Sequence, residues 1–508
     1  MPVYLTTIKE SDLAFDTIFH TEFKLSAPTA KALNASVLQP HLKRLREDIS
    51  LVVETHYIDK VYRDSYYEYY SSKLGRYKRN CIKVSLFDGP LKAEHFKDGT
   101  ALEVLQEKYL GFFVLRPTYP DIMGRNVVSP KALRTNNIEI CAAQFSSTAY
   151  AIRFKAVGFA HSSQDGESIT CAETTIWSLM EYFGHKYPDY RPVLPSKIHN
   201  ILNSVSYERL LPSPGLDVNQ MSYALRELGF GTHIYARREY ATFESLLGIY
   251  IESGIPLVIA IDNRRNFPIA SNYIGHALLC IGRVSTTPQM IDALQPLDNP
   301  KFDLEIKNTN IKIFDFSTIK HEYIFIDDNR PAYQTAFLDA PAAHYETENW
   351  RLCEISHFIV PLHRKIYFEA YSMKNFVLGF LLKGPYPIKP NTELTIRSFL
   401  ASTRSYKHYI ATSSGIPPEM KEILTEEKMP KFLWVTELSS KDLLKQGKAT
   451  GLILLDPTEP NVFDFNPLIT AFYEGSFVKY STKDRNLEKF DLPLPPFVMY
   501  QHNLKRIV

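Results

Sequence analysis

The chain has 508 residues, 45% of them hydrophobic and 22% charged, which excludes a disordered or collagen-like protein and leaves enough apolar material for a sizeable core. At roughly 100 to 200 residues per domain, this length implies about two to four structural units. The 58 Lys+Arg nearly cancel the 56 Asp+Glu to a formal charge of +2, so no strong overall field favours nucleic acid or an anionic membrane as a partner.

The five cysteines, Cys81, Cys141, Cys171, Cys280 and Cys353, are odd in number, widely spaced and free of any CxxC pair. That pattern argues against a disulfide framework or a thiolate zinc site and for a reducing, cytoplasmic compartment. The first residues lack the basic segment and apolar run of a secretory signal, and no stretch approaches the roughly 18 apolar residues of a spanning helix. The expectation is a soluble protein with no membrane association.

Residues 1–150 mix helical and strand patterns and are read as a mixed α/β unit of unassigned role. The segment Tyr57 to Tyr77 places Tyr62, Tyr66, Tyr69, Tyr70 and Lys73 near one helical face; such a stripe could stack bases, but aromatic stripes usually belong to cores. The runs Gly111–Pro117 and Asn137–Cys141, bounded by Gly, Pro and Asn, read as strands.

Residues 151–345 form the second predicted unit. Helices are expected over Thr170–Phe183, Pro195–Val205, Val218–Leu228 and Thr242–Ser253, the last two closed by Gly229 and Gly254. Strands follow at Pro256–Asp262, His276–Gly282 and Tyr323–Asp327, and a run of strands after a run of helices indicates an α+β fold. Residues 346–508, with strand-like runs at Phe358–Pro361, Lys365–Glu369, Phe432–Thr436 and Gly451–Asp456, are read as a third, mixed or β-rich unit.

Chemistry concentrates between 161 and 180. Thr170-x-x-Glu173 is a capping box, so Cys171 is the first helical residue, among unpaired N–H groups at the positive end of the helix dipole. This placement favours a reactive thiolate. Gln164, in the polar loop upstream with Gly166, could donate its amide to an oxyanion beside the Cys171 N–H. A base is offered by His276, which follows Gly275 at the entry to an apolar strand. The next strong strand, Tyr323–Ile326, ends in Asp327-Asp328-Asn329, where a carboxylate could hold the imidazole in one tautomer. Taken alone, Cys171 reads as a core residue, His276 as a structural histidine and the Asp pair as a turn; together they read as a triad. Cys141, Cys280 and Cys353 lie in apolar runs and are expected to be inert.

This order of Cys, His and Asp resembles the papain-like superfamily of cysteine peptidases, and within it the bacterial double-glycine-leader peptidase branch. That branch has a Gln before the Cys, a Gly-His opening an apolar strand, and an Asp just after the following strand. The stretches Gly215–Phe230 and Leu246–Ile259 are similar as well, so the resemblance spans about 161–335. The chain departs from the family pattern in three places. Gln164 stands seven rather than six positions before Cys171, with Asp165 at the expected place. Thr170-Cys171-Ala172 replaces Asp-Cys-Gly. Residues 284–320 lengthen the His-to-Asp interval and are expected as an insertion near the active-site edge.

The resemblance implies a central domain in which a helix-borne Cys packs on an antiparallel sheet carrying His and Asp. It further implies a cysteine-dependent amide or peptide hydrolase with Cys171, His276, Asp328 and Gln164 in catalytic roles. Register against the papain-like strand puts Asp328 in the orienting position, with Asp327 as the alternative. The implied substrate is a protein or peptide, without cofactor or metal. Transglutaminase or acyltransferase chemistry through the same thioester, and an interaction protein with a vestigial triad, are the competing readings.

Overall fold

A computed structural model describes residues 3–75, 77–97, 101–206, 209–212, 215–265, 273–462, 465–481 and 486–507. The fold is mixed α+β, built on three large and almost wholly antiparallel sheets. Among the described residues, no helix is long and apolar enough to cross a membrane.

The first sheet has seven strands in the spatial order Val3–Thr7, Ser50–Tyr57, Cys81–Phe87, Tyr109–Leu115, Met123–Val128, Ile152–His161, Ala143–Ala149. Its central strands are buried residue after residue, as strands covered on both faces must be. The tyrosine-rich segment forms a helix, Lys60–Glu68, and a short 3-10 turn, Tyr70–Ser72. Tyr62 and Tyr70 are buried, and Tyr62 donates to the Lys78 carbonyl at 2.8 Å. These two therefore pack as core.

The second sheet runs Gln334–Ala336, Tyr323–Ile326, Gly275–Val284, Leu257–Asp262, Glu354–His363, Phe230–Ala236. Where Leu257–Asp262 ends, Ile138–Ile140 takes over the edge of Gly275–Val284, and Lys505–Arg506 pairs with it in turn. The third sheet orders Lys312–Asp315, Glu393–Ser402, Phe432–Ser439, Gly451–Leu455, Leu468–Tyr473, Ser476–Ser481, Asn486–Asp491. Its first pair is parallel and the rest antiparallel. The expected strand at Lys365–Glu369 is absent, and the apolar run after it is the helix Ala370–Lys383.

Sheet pairing cuts across the expected unit boundaries. Position 150 falls inside the hairpin of Ala143–Ala149 with Ile152–His161. Position 345 precedes Glu354–His363, which lies between two strands of the second sheet. The segment 284–320 leaves Gly275–Val284 at the end opposite His276 and supplies Lys312–Asp315 to the third sheet. It therefore extends away from the edge where it was expected, because a strand's two ends are about 3.3 Å per residue apart.

Helix Cys171–Lys186 contacts Gly275–Val284 of the second sheet and the hairpin strands of the first. It is buried all round from Ala172 to Phe183 rather than on one face, since a sheet covers each side. A buried ion-pair network ties the second and third sheets: Arg397 reaches Glu252 at 3.1 Å and Glu437 at 2.8 Å, while Arg283 pairs with Glu139 at 3.0 Å and with Glu252.

Candidate active site

The loop that leads to Cys171 starts at the last residue of the first sheet, His161. Asp165 organises it by accepting from the backbone N–H groups of Glu167 (3.0 Å), Ser168 (2.7 Å) and Ile169 (2.9 Å). Gly166 adopts φ +71°, a conformation that disfavours any side chain. The N-terminal sheet region grips the loop from outside: Tyr69 donates to Glu167 at 2.7 Å, Lys73 pairs with the same carboxylate, and Arg116 donates to the Ser163 carbonyl at 3.0 Å. The capping box forms, with the Thr170 N–H donating to Glu173 at 3.2 Å. Cys171 opens the helix and is partly exposed. As a first-turn residue, its N–H has no partner within the helix.

His276 lies at the second position of Gly275–Val284, opposite Ile261, and is buried. Its Nε2 meets Asp327 Oδ1 at 3.0 Å, and the Cys171 side chain is among the groups that act on its imidazole. Because Asp327 occupies Nε2, Nδ1 is the nitrogen left for the thiol. Trp350 stands edge-on to the imidazole, with centroids 5.2 Å apart, and stacks on Tyr345 at 4.1 Å. The His276–Asp327 bond beside this aromatic pair is buried at both ends, where low dielectric strengthens it.

The bond expected of Asp328 is thus made by Asp327; Asp328 Oδ1 lies 3.6 Å from His276 Nε2, too far for a hydrogen bond. The cause is a β-bulge. At the far end of the strand pair Arg283 faces Tyr323 and Gly282 faces Ile324, but past the bulge Cys280 faces Phe325 and Leu279 faces Ile326. Continued one residue, the register sets Asp327 against Leu278, on the face of His276. Without the extra residue, Asp328 would hold that place. Gly282 permits the bulge, since a Cβ there would sit 2.2 Å from the Glu139 carbonyl oxygen of the crossing strand.

Asp327 is saturated with donors. Besides His276, Oδ1 accepts the Asn329 N–H at 3.0 Å, and Oδ2 accepts from Tyr345 at 2.8 Å and meets His344 Nε2 at 3.1 Å. Its backbone carbonyl meets His161 Nε2 at 3.0 Å, while His161 Nδ1 contacts Asn126 at 2.7 Å. Burial works against the Asp327 charge, yet the His276 charge and these hydrogen bonds hold its carboxyl far below the usual carboxylate range. Burial likewise opposes protonation of His276, and Asp327 overcomes it, raising the imidazole well above its ordinary value. Burial pushes Asp328 up to about 7, against the pull of His276.

Gln164, expected to turn toward Cys171, donates its amide to Asn329 Oδ1 at 2.5 Å, tying the nucleophile loop to the Asp327 turn. His344, Tyr345 and Trp350 escape the sequence reading because they follow the last strand in an irregular segment without periodicity; their one signal is an aromatic cluster shortly after the Asp pair. The other four cysteines are buried. A cavity of about 590 Å³ lined by Arg237, Ser245, His321 and Lys374 includes none of the site residues.

A scan against protein-family models finds no match to the chain, and a search of curated proteins finds none either.

Proposed function

We propose that the chain is a cysteine-dependent amide hydrolase of papain-like type, acting on a protein or peptide through Cys171, His276 and Asp327. The observation that carries this reading is the single imidazole on which both partners act: His276 holds Asp327 on Nε2 at 3.0 Å, and the thiol of a helix-opening cysteine acts on the same ring. The antiparallel sheet carrying His276 and Asp327 against the Cys171 helix also supports the likeness to the double-glycine-leader peptidase branch.

In this mechanism the thiol proton passes to His276 Nδ1 and Cys171 Sγ attacks the amide carbon, sending the carbonyl electron pair to oxygen. The Cys171 N–H holds that oxyanion. Collapse breaks the C–N bond as His276 returns its proton to the leaving amine, leaving a thioester. Water, deprotonated by His276, then releases the acid. Asp327 replaces Asp328 as the orienting group, and no step calls for a cofactor.

The test is labelling with an electrophilic amide probe at neutral pH, followed by mapping of the modified cysteine. Modification of Cys171 with release of a cleaved product is the expected result. Incorporation of a labelled amine in place of water would move the protein to acyl transfer, and an unreactive Cys171 would leave it an interaction protein.

A further inference from the structure

His276, Asp327 and Asp328 each direct one donor atom into a common space, all within 4.8 Å of one another. The edges from His276 Nε2 are 3.0 Å to Asp327 and 3.6 Å to Asp328. Ligands held about 2.0 to 2.2 Å from a tetrahedral ion lie roughly 3.3 to 3.6 Å apart, so these edges bracket the spacing of one coordination face.

The independent observation is Asp328. Its side chain is 4% exposed, and neither carboxylate oxygen has a hydrogen-bond partner. A buried carboxyl without donors is costly, and the triad makes no use of it. Asp327, by contrast, is held from behind by His344, Tyr345 and the Asn329 N–H, the outer-shell support that orients metal ligands.

We propose that His276 Nε2, Asp327 and Asp328 bind one divalent transition-metal ion of the Zn²⁺ class, with an open position for water, and that the ion switches the thiol site off. A set of one imidazole and two carboxylates suits Zn²⁺ or Mn²⁺ and disfavours Cu(I). Binding releases the Nε2 proton to solvent, and the lone pair there goes to the metal. Nδ1 takes up a proton from solvent in exchange, so the metal-bound imidazole stays neutral and His276 cannot accept one from Cys171. The inhibitory consequence rests on the proposed hydrolase reading; the binding does not.

The experiment is calorimetric titration of the full, chelator-stripped chain with Zn²⁺ alone. One ion per chain is expected, with affinity lowered about tenfold or more in Asp328→Asn and retained in Cys171→Ser. Unchanged affinity in Asp328→Asn, or lost binding in Cys171→Ser, overturns the proposal. Should Asp328→Asn fail to fold, the absorption spectrum of the Co²⁺-loaded wild type decides: nitrogen and oxygen ligation supports the site, and a thiolate charge-transfer band refutes it. Zn²⁺ binding with an unreactive Cys171 would retain the ion site and remove only the hydrolase reading.

Discussion

Cys171 is the one cysteine of five that solvent reaches, whereas burial pushes the Cys141 and Cys353 thiols up to about 12 and raises Cys81 and Cys280 well above their ordinary value. Electrophiles at neutral pH should therefore modify Cys171 first, and peptide mapping that found Cys141 or Cys280 labelled equally would remove the nucleophile assignment. In Asp327→Asn the amide can still accept from His276, but the charge that raises the imidazole is gone. The alkaline limb of kcat/KM should then fall toward about 6.5, and an unmoved limb would detach Asp327 from the base. Asp328 makes an opposite kind of prediction. Its folded value near 7 exceeds the unfolded one, so its contribution to stability is full below about pH 4 and is lost as pH rises through 7. Over that window the cost reaches up to about 4 kcal/mol. In chelator-treated buffer, urea unfolding of Asp328→Asn should show more stability than wild type at pH 8 and little difference at pH 4; equal curves at pH 8 would mean the carboxyl is not desolvated. Cys171 and His276 were legible because a capping box and a Gly-His strand entry are local signals. Asp327 and Asp328, adjacent and chemically identical, carry no local difference at all.

What separates those two residues is decided at the level of elements. The strands Gly275–Val284 and Tyr323–Ile326 were readable from their apolar runs, as were the four helices between 170 and 253, with ends shifted by no more than three residues. Their mutual register was not, because it depends on the extra residue between Cys280 and Gly282, and that depends on a strand, Ile138–Ile140, more than a hundred positions upstream. Gly282→Val tests the link. Its Cβ would strike the Glu139 carbonyl, so either the crossing strand withdraws or the bulge closes; a cost of about 1 to 3 kcal/mol is expected from the clash. Closing the bulge would also turn Asp327 off the His276 face, so Cys171 labelling should slow by more than the lost stability explains. Labelling at the wild-type rate in a folded Gly282→Val protein would show that the register is set elsewhere.

Across the whole molecule, the sheets are assembled from distant parts of the chain. Composition and turn signals indicate that several units exist, but they contain nothing about which strand pairs with which, and so the boundaries at 150 and 345 were misplaced. A fragment of residues 151–345 should lack a cooperative thermal transition by calorimetry, since it omits both Glu354–His363 and Ile138–Ile140; a sharp two-state melt would show that the second sheet closes without them. The position of Glu354–His363 also governs the order in which the protein can mature. Among the described residues Phe230–Ala236 has no other partner strand in its sheet, and about 120 residues separate the two. At ordinary ribosomal speeds that interval is roughly 6 to 24 seconds. Throughout it the nascent chain already carries Cys171 and, for roughly its last two thirds, His276, with Asp327 joining only for roughly its last quarter, on a sheet still missing an interior strand. The newborn polypeptide thus passes through a stage in which its Cys171 thiol exists before the scaffold that would direct it.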